Sequence, residues 1–391
     1  MPSIYRLNGR RCTDNFMYFH VILTDNCNLC CSYCRAKAFE ELEEGSDEGE
    51  PVEIDPDLPL ELDYDLRLLY GFLAKDPAPT VTFYGGEPLI RADLIDQIVR
   101  EAPVRRFMLQ TNGLLLDRLA PEIVNRFSTI LVSLDGKEEL TDKNRGEDVY
   151  RRVMAQVQRL RTIGYTGELI ARMTVTEQTD IVDAVSWLAG NPDHAFSSIH
   201  WQLDADFAGD FARRQFADWA TDSYNPGIRM LVSQWVDRME TTGEVLRWYP
   251  FLDPIDDLLD GKASRLRCGS GYANYSIMTD GHIAPCPVMV GMTPYYVGHI
   301  ADADPCALDR VEVGGECTSC HIRDFCGGRC LYSNITRPWN TIQRQLVCGT
   351  VENLREALVS ALPRVQNLIA RGIIARRDFA HEKFNGCEII P

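Results

Sequence analysis

The sequence predicts an α/β protein: a mostly parallel sheet, then a small cysteine-rich region, then a C-terminal helix. Two observations predict it. Up to residue 203, apolar runs of strand length alternate with stretches whose apolar residues recur at i, i+3 and i+4, the pattern of βαβ units. The fourteen cysteines fall mainly into two groups, Cys27–Cys34 and Cys268–Cys348, separated by 233 residues that contain none.

In chain order, strands are expected at Phe19–Leu23, Thr80–Tyr84, Arg106–Gln110, Thr129–Leu134, Leu169–Val175 and Ile199–Leu203. Helices are expected at Asp65–Phe72, Asp93–Glu101, Ala120–Arg126, Val149–Ile163 and Ile181–Leu188. Right-handed crossovers between such strands make the sheet parallel. Six repeats are too few for a closed eight-stranded barrel. Periodicity alone therefore leaves a partial (β/α)6 barrel and an open doubly wound sheet both standing. In either, chemistry belongs at the carboxyl ends of the strands. Residues 208–266 read as a helical connector, with helices at Phe211–Trp219, Ile228–Met239 and Ile255–Leu259. From 267 to 349, cysteines, glycines and short polar turns dominate. Val351–Arg371 is then an amphipathic helix striped by Leu354, Leu358, Leu362, Val365 and Leu368.

Composition narrows the function. No apolar run reaches the ~18–20 residues of a membrane span, and the N-terminus lacks a secretory apolar segment. A cytoplasmic protein without a membrane partner is expected. The net charge of −17 argues against nucleic acid. Thirteen acids and no Lys or Arg lie between Glu40 and Asp65. Such a stretch is ordinarily a solvated loop, and as an acidic lip it would attract a basic partner.

In a reducing compartment, this cysteine density points to metal or catalysis rather than disulfides. Cys27, Cys31 and Cys34 form C-x3-C-x2-C just after the first strand, with Cys30 as a surplus thiol. Three thiolates on one loop can cap three irons of a cubane and leave the fourth open. A zinc site would need a fourth ligand, and the nearest histidine, His20, lies inside the strand. The second group, Cys268, Cys286, Cys317, Cys320, Cys326, Cys330 and Cys348, exceeds one tetrahedral site and falls short of two.

The Cys27–Cys34 loop, with Tyr33 before its last cysteine, resembles the radical S-adenosylmethionine (SAM) superfamily. The resemblance implies a partial (β/α)6 TIM-type barrel. It implies a [4Fe–4S] cluster on Cys27, Cys31 and Cys34 whose open iron binds SAM. Reductive cleavage of SAM then gives a 5′-deoxyadenosyl radical that abstracts hydrogen. Gly85-Gly86-Glu87-Pro88 looks like the family motif for the SAM amino group, and Asn112 ends the third strand. Ser133 and Asp135 match positions near the SAM ribose, with Asn144-Arg145 following and Thr141 where the family often has His. Arg172 matches an arginine that pairs with the SAM carboxylate, a role suited to a bidentate guanidinium.

The second cysteine group is similar to the seven-cysteine SPASM, or twitch-type, auxiliary-cluster extension. By that likeness Cys268, Cys286 and Cys330 hold one auxiliary [4Fe–4S] cluster, lacking a fourth ligand. Cys317, Cys320, Cys326 and Cys348 hold another, making three clusters in all. The domains would be 1–207 (barrel), 208–266 (connector), 267–349 (SPASM) and 350–391 (helix and tail). Cys12, Cys306 and Cys387 are expected to be free thiols, and Cys30 no ligand.

SPASM proteins mostly act on ribosomally made peptides. The resemblance thus implies an anaerobic oxidoreductase that matures a peptide or protein side chain by oxidation or crosslinking. A ferredoxin or flavodoxin would donate electrons. With a strand already at Phe19, no room is expected for an N-terminal leader-binding domain. A formylglycine-forming sulfatase maturase is the nearest rival, but its Asp after the second SPASM cysteine is Pro287 here. A non-catalytic Fe–S carrier would not need Gly85–Pro88, Ser133, Asp135 or Arg172. Candidate bases are Asp204, Asp206 and His200 near the sixth strand, and Tyr272 or Tyr275 near Cys268.

Overall fold

The computed structural model describes residues 17–34, 54–191, 193, 196–204 and 214–384. Nine strands form one sheet in the order β6-β5-β4-β3-β2-β1-β7-β8-β9. They are β1 (Tyr18–Ile22), β2 (Thr80–Tyr84), β3 (Arg106–Thr111), β4 (Phe127–Ser133), β5 (Glu168–Val175), β6 (Ser198–Leu203), β7 (Asn274–Ile277), β8 (His282–Ala284) and β9 (Gly298–His299). β1 to β6 pair in parallel, and β7 adds in parallel to the free edge of β1. β8 and β9 then run antiparallel. This is the partial barrel with a small appended region that the sequence predicts.

Alternate strand residues do different work, because side chains change face at every step. Phe19, Val21, Val81, Phe83, Phe107, Leu109, Ile130, Val132, Ala171, Met173 and Trp201 enter the main core. It lies against the crossover helices α1 (Leu66–Leu73), α2 (Ala92–Glu101), α3 (Glu138–Arg145), α4 (Val149–Thr162) and α5 (Ile181–Gly190). On the opposite face, Tyr18, Met108, Leu131 and Ile170 form a separate apolar layer with Tyr249.

The strand expectations hold to within two residues at either end. Three helix expectations need correction, and one helix was not expected. Helix α3 is absent from the sequence reading because its buried face is polar: Thr141, Asn144 and Arg145 turn inward. Ala120–Arg126 shrinks to Pro121–Val124. The Ile255–Leu259 helix is longer, α7 (Tyr249–Asp260), and follows α6 (Asn225–Thr242). The C-terminal helix α8 spans Thr341–Ala370, starting ten residues before Val351, because Asn340 and Gln343 form a reciprocal capping box. Cys348 therefore sits on a helix. Residues 40–53 of the acidic stretch, and 211–213 of the expected Phe211–Trp219 helix, lie outside the described residues, and Phe216–Trp219 is helical.

The chain's last described residues close the amino ends of the strands. Phe384 packs edge-on against Tyr18 and Tyr272. Glu382 accepts a hydrogen bond from the Tyr18 hydroxyl and pairs with Arg106. His381 bonds Asp253, which also pairs with the buried Arg267. The barrel lumen is thus floored at this end and leaves its carboxyl end for the site. Among the described residues, no helix is long and apolar enough to cross a membrane.

Candidate active site

The Cys27–Cys34 loop leaves β1 at its carboxyl end and is fastened on three sides. Thr24 Oγ1 and Asn26 Nδ2 both donate to Glu61 Oε1 at 2.7 Å, and Arg91 donates to Glu61 Oε2 at 3.0 Å. Burial opposes ionisation of Glu61, yet these bonds hold its carboxyl below the usual range. Sequence reading assigned Glu61 only to an acidic run and missed it as the anchor of this loop.

The second fastening is the Gly85–Gly86 backbone. Gly86 N–H donates to Thr24 O at 2.8 Å and Glu87 N–H to Asn26 O at 2.9 Å. A Cβ at Gly86 would lie 2.4 Å from the carbonyl oxygens of Asp25 and Asn26, so no side chain fits there. The Glu87 side chain turns inward. Its Oε1 accepts from Thr111 Oγ1 (2.7 Å) and Leu89 N–H (3.0 Å), and its Oε2 from Asn112 N–H (2.7 Å). Glu87 thus ties β2 to the end of β3. Asn112 in turn donates to Asn28 Oδ1 at 2.7 Å, within the cysteine loop.

The third fastening is Tyr33, whose hydroxyl donates to Asp135 Oδ2 at 2.6 Å. Asp135 is fully buried and also accepts from Arg145 Nη2 (2.8 Å), Arg145 Nε (3.1 Å), Asn144 Nδ2 (3.2 Å) and Thr174 N–H (3.1 Å). A carboxylate offers about four lone-pair sites. With five donors on its two oxygens, Asp135 anchors the loop. Ser32 N–H bonding Asn144 O at 2.8 Å ties the same helix to the loop. Ser133, paired in register with Arg172, keeps its place at the end of β4. Arg172 is buried and donates to Gln202 Oε1 at 2.6 Å.

Burial raises the Cys27 thiol and pushes Cys31 up to about 11. A metal centre would supply the positive charge that makes thiolates of them. Among the described residues no three His, Cys, Asp or Glu side chains converge tightly enough to enclose one metal ion. By ligand type, sets of thiolates select soft or sulfide-bridged metal centres. Cys317, Cys320, Cys326 and Cys348 together line a cavity of about 280 Å³. Cys268, Cys286 and Cys330 are buried at converging loops: Gly271 N–H bonds Pro285 O, and Arg267 Nη2 bonds Phe325 O. Cys30 is exposed, and Cys306 is disulfide-bonded rather than free. Cys12 and Cys387 lie outside the described residues.

The candidate bases fare unevenly. Asp204 pairs with Arg214 at 3.7 Å, and Asp206 lies outside the described residues. Tyr272 spends its hydroxyl on Leu266 O (2.8 Å) and Tyr275 on Gly271 O (3.0 Å), so both are packing residues. His200 is different. It is fully buried, and neither ring nitrogen has a hydrogen-bond partner. Burial, reinforced by Arg172, holds it neutral by pulling its pKa well down. His20 Nε2, Thr82 Oγ1, Gln110 Oε1 and Ser276 Oγ are likewise buried without partners. Sequence reading named His200 but missed Thr82, Gln110 and Ser276 beside it, although their signal was present: single polar residues at inward-facing strand positions.

Residues 21–187 match the family model described as the radical SAM superfamily. That segment, under half of the chain, is similar to the radical SAM superfamily. Human molybdenum cofactor biosynthesis protein 1 is 31% identical over 165 residues, covering 39% of this chain and 24% of that protein. Fe-coproporphyrin III synthase of Methanosarcina barkeri (strain Fusaro / DSM 804) is 34% identical over 128 residues, 32% of this chain and 28% of that protein. The matched segment thus spans about a quarter of the curated relatives' length. Among solved structures, native anSMEcpe with bound AdoMet and Cp18Cys peptide superposes with a TM-score of 0.66 at 17% identity, over 90% of this chain and 99% of that one. Streptococcus suis SuiB bound to precursor peptide SuiA gives 0.51 at 15% identity, over 81% and 72%. These likenesses establish a shared fold, including the cysteine-rich region beyond the radical SAM domain.

Proposed function

We propose that this chain is a radical SAM protein that modifies a peptide or protein side chain, with three [4Fe–4S] clusters. One observation carries the reading: the chain shares its fold along 90% of its length with a peptide-bound structure, and its added region gathers four cysteines around one cavity. In this reading Cys27, Cys31 and Cys34 hold the SAM-binding cluster. The Gly85–Gly86 backbone, Asn112, Ser133 and Arg172 face SAM, while Glu61, Glu87, Asp135 and Arg145 hold the loop in place. Cys317, Cys320, Cys326 and Cys348 hold one auxiliary cluster, and Cys268, Cys286 and Cys330 the other. The bound cluster and SAM would supply one-electron cleavage of SAM and hydrogen-atom abstraction.

The buried polar floor of His20, Thr82, Gln110, His200 and Ser276 suits a polar side chain reaching down the lumen. His200, held neutral by burial and Arg172, can hydrogen-bond and orient such a side chain. Pro287 after Cys286 still weighs against formylglycine formation.

The test is anaerobic reconstitution with iron and sulfide, then dithionite and SAM, measuring 5′-deoxyadenosine with and without a panel of basic and cysteine-containing peptides. Peptide-stimulated 5′-deoxyadenosine with a mass change in one peptide supports the reading. Iron-loaded protein that forms none overturns it.

A further inference from the structure

The four-cysteine cavity has one wall that its thiols do not explain. Arg329 lines it, is only 7% exposed, and keeps Nε and Nη1 without any hydrogen-bond partner. Its guanidinium lies 5.8 Å from the Trp339 ring centre, and Cys326 and Cys348 line the same cavity. A guanidinium does not shed its proton, so the charge stays buried. A buried charge without a counter-ion is strongly unfavourable, and an unsatisfied one calls for an explanation.

The backbone directs the side chain inward. Cys326-Gly327-Gly328-Arg329-Cys330 passes through three successive left-handed residues, with φ of 69°, 102° and 55°. Glycine tolerates this, and arginine rarely adopts it. A Cβ at Gly327 would lie 1.9 Å from Arg265 O, so the turn is pressed against the segment that leads to Cys268. The outcome is one fixed cation that shares a cavity with Cys326 and Cys348 of one thiol set and directly precedes Cys330 of the other in the chain.

We propose that Arg329 is the shared countercharge of the two auxiliary sites, a positioning residue that raises the reduction potential of the metal centre it faces. This rests on the cluster reading above. Gaining an electron makes a thiolate-bound centre more negative, and a nearby fixed cation stabilises that form. The same charge favours gathering four thiolates in one buried space.

The experiment uses full-length protein reconstituted as wild type, Arg329→Met and Arg329→Gln. It measures iron and sulfide per chain, and the auxiliary signals in a potentiometric titration followed by electron paramagnetic resonance. The expected result is a lower auxiliary potential in R329M, with at least a tenfold smaller reduced fraction at fixed poise, about 59 mV for one electron. The SAM-binding centre should titrate as in wild type. Selective loss of auxiliary iron in R329M also supports the proposal. Unchanged auxiliary potential at unchanged iron content overturns it. If R329M fails to fold, R329Q, which keeps an N–H donor without the charge, decides by the same criterion. Wild-type protein loading only about four irons per chain would overturn the three-cluster reading instead.

Discussion

Glu87 offers a way to test the clamp between β2 and β3 by pH alone. Its carboxyl is fully buried, and burial pushes it up to about 7 from 4.5, against the pull of hydrogen bonds from Asn112, Thr111 and Leu89. Between those two values the folded protein binds more protons than the unfolded chain, so stability falls as pH rises. The stabilisation is fully present below about 4.5 and is lost as pH climbs through about 7. For one such group the loss from about pH 5.5 to about pH 7.5 is about 2 kcal/mol.

Glu87→Gln removes this titration. It also places an amide N–H₂ where a carboxylate oxygen accepted a bond, so one donor among Thr111, Leu89 and Asn112 goes unmatched at about 1–3 kcal/mol. The penalty does not titrate. Urea unfolding of both proteins across this pH range should therefore give a stability gap in favour of wild type that narrows by about 2 kcal/mol toward high pH. Other titrating groups cancel in the difference. A gap that stays constant, or widens with pH, refutes the assignment of Glu87 as a buried carboxyl protonated near neutrality.

Three further outcomes follow from the site. Arg145→Met strands the Asp135 carboxylate, whose side-chain partner it is at 2.8 Å. Urea unfolding should show a loss of about 3–5 kcal/mol. Gly86→Ala forces a Cβ against the carbonyls of Asp25 and Asn26. Iron analysis should show about four fewer irons per chain with circular dichroism unchanged, while Gly190→Ala, which meets nothing within 4 Å, retains them all. His200→Asn should leave SAM cleavage intact and lower formation of the modified peptide by roughly 100-fold, the cost of a misplaced substrate group. Equal loss of 5′-deoxyadenosine and product would assign His200 a structural role.

How much of this was legible in the sequence depended on whether the signal was local. Strand positions were legible because Val, Ile, Leu and Phe recur in short runs bounded by turns. The cysteine groups were legible because the thiols crowd into short spacings such as C-x3-C-x2-C. Helix α3 was hidden because its inward face is Thr141, Asn144 and Arg145, and an apolar count cannot see a helix held by a buried ion pair. Glu61 was hidden in a run of acids, since the donors that single it out, Thr24 and Arg91, lie more than 29 residues away in sequence.

Glu87 and Asp135 carry the same lesson further. Both stand in motifs whose residues were expected to touch SAM, and both have their oxygens occupied by the protein. A motif records which residues a site needs, without saying which of them reach the ligand. Here the two buried carboxylates join β2 to β3 and β4 to the Tyr33 end of the cysteine loop, so the loop is held from both flanks. Three thiols that hold a metal centre, as proposed, cannot also brace their own backbone. The bracing therefore falls to buried acids paired with donors from neighbouring strands, and acids in such places resist substitution for reasons of geometry before any question of chemistry arises.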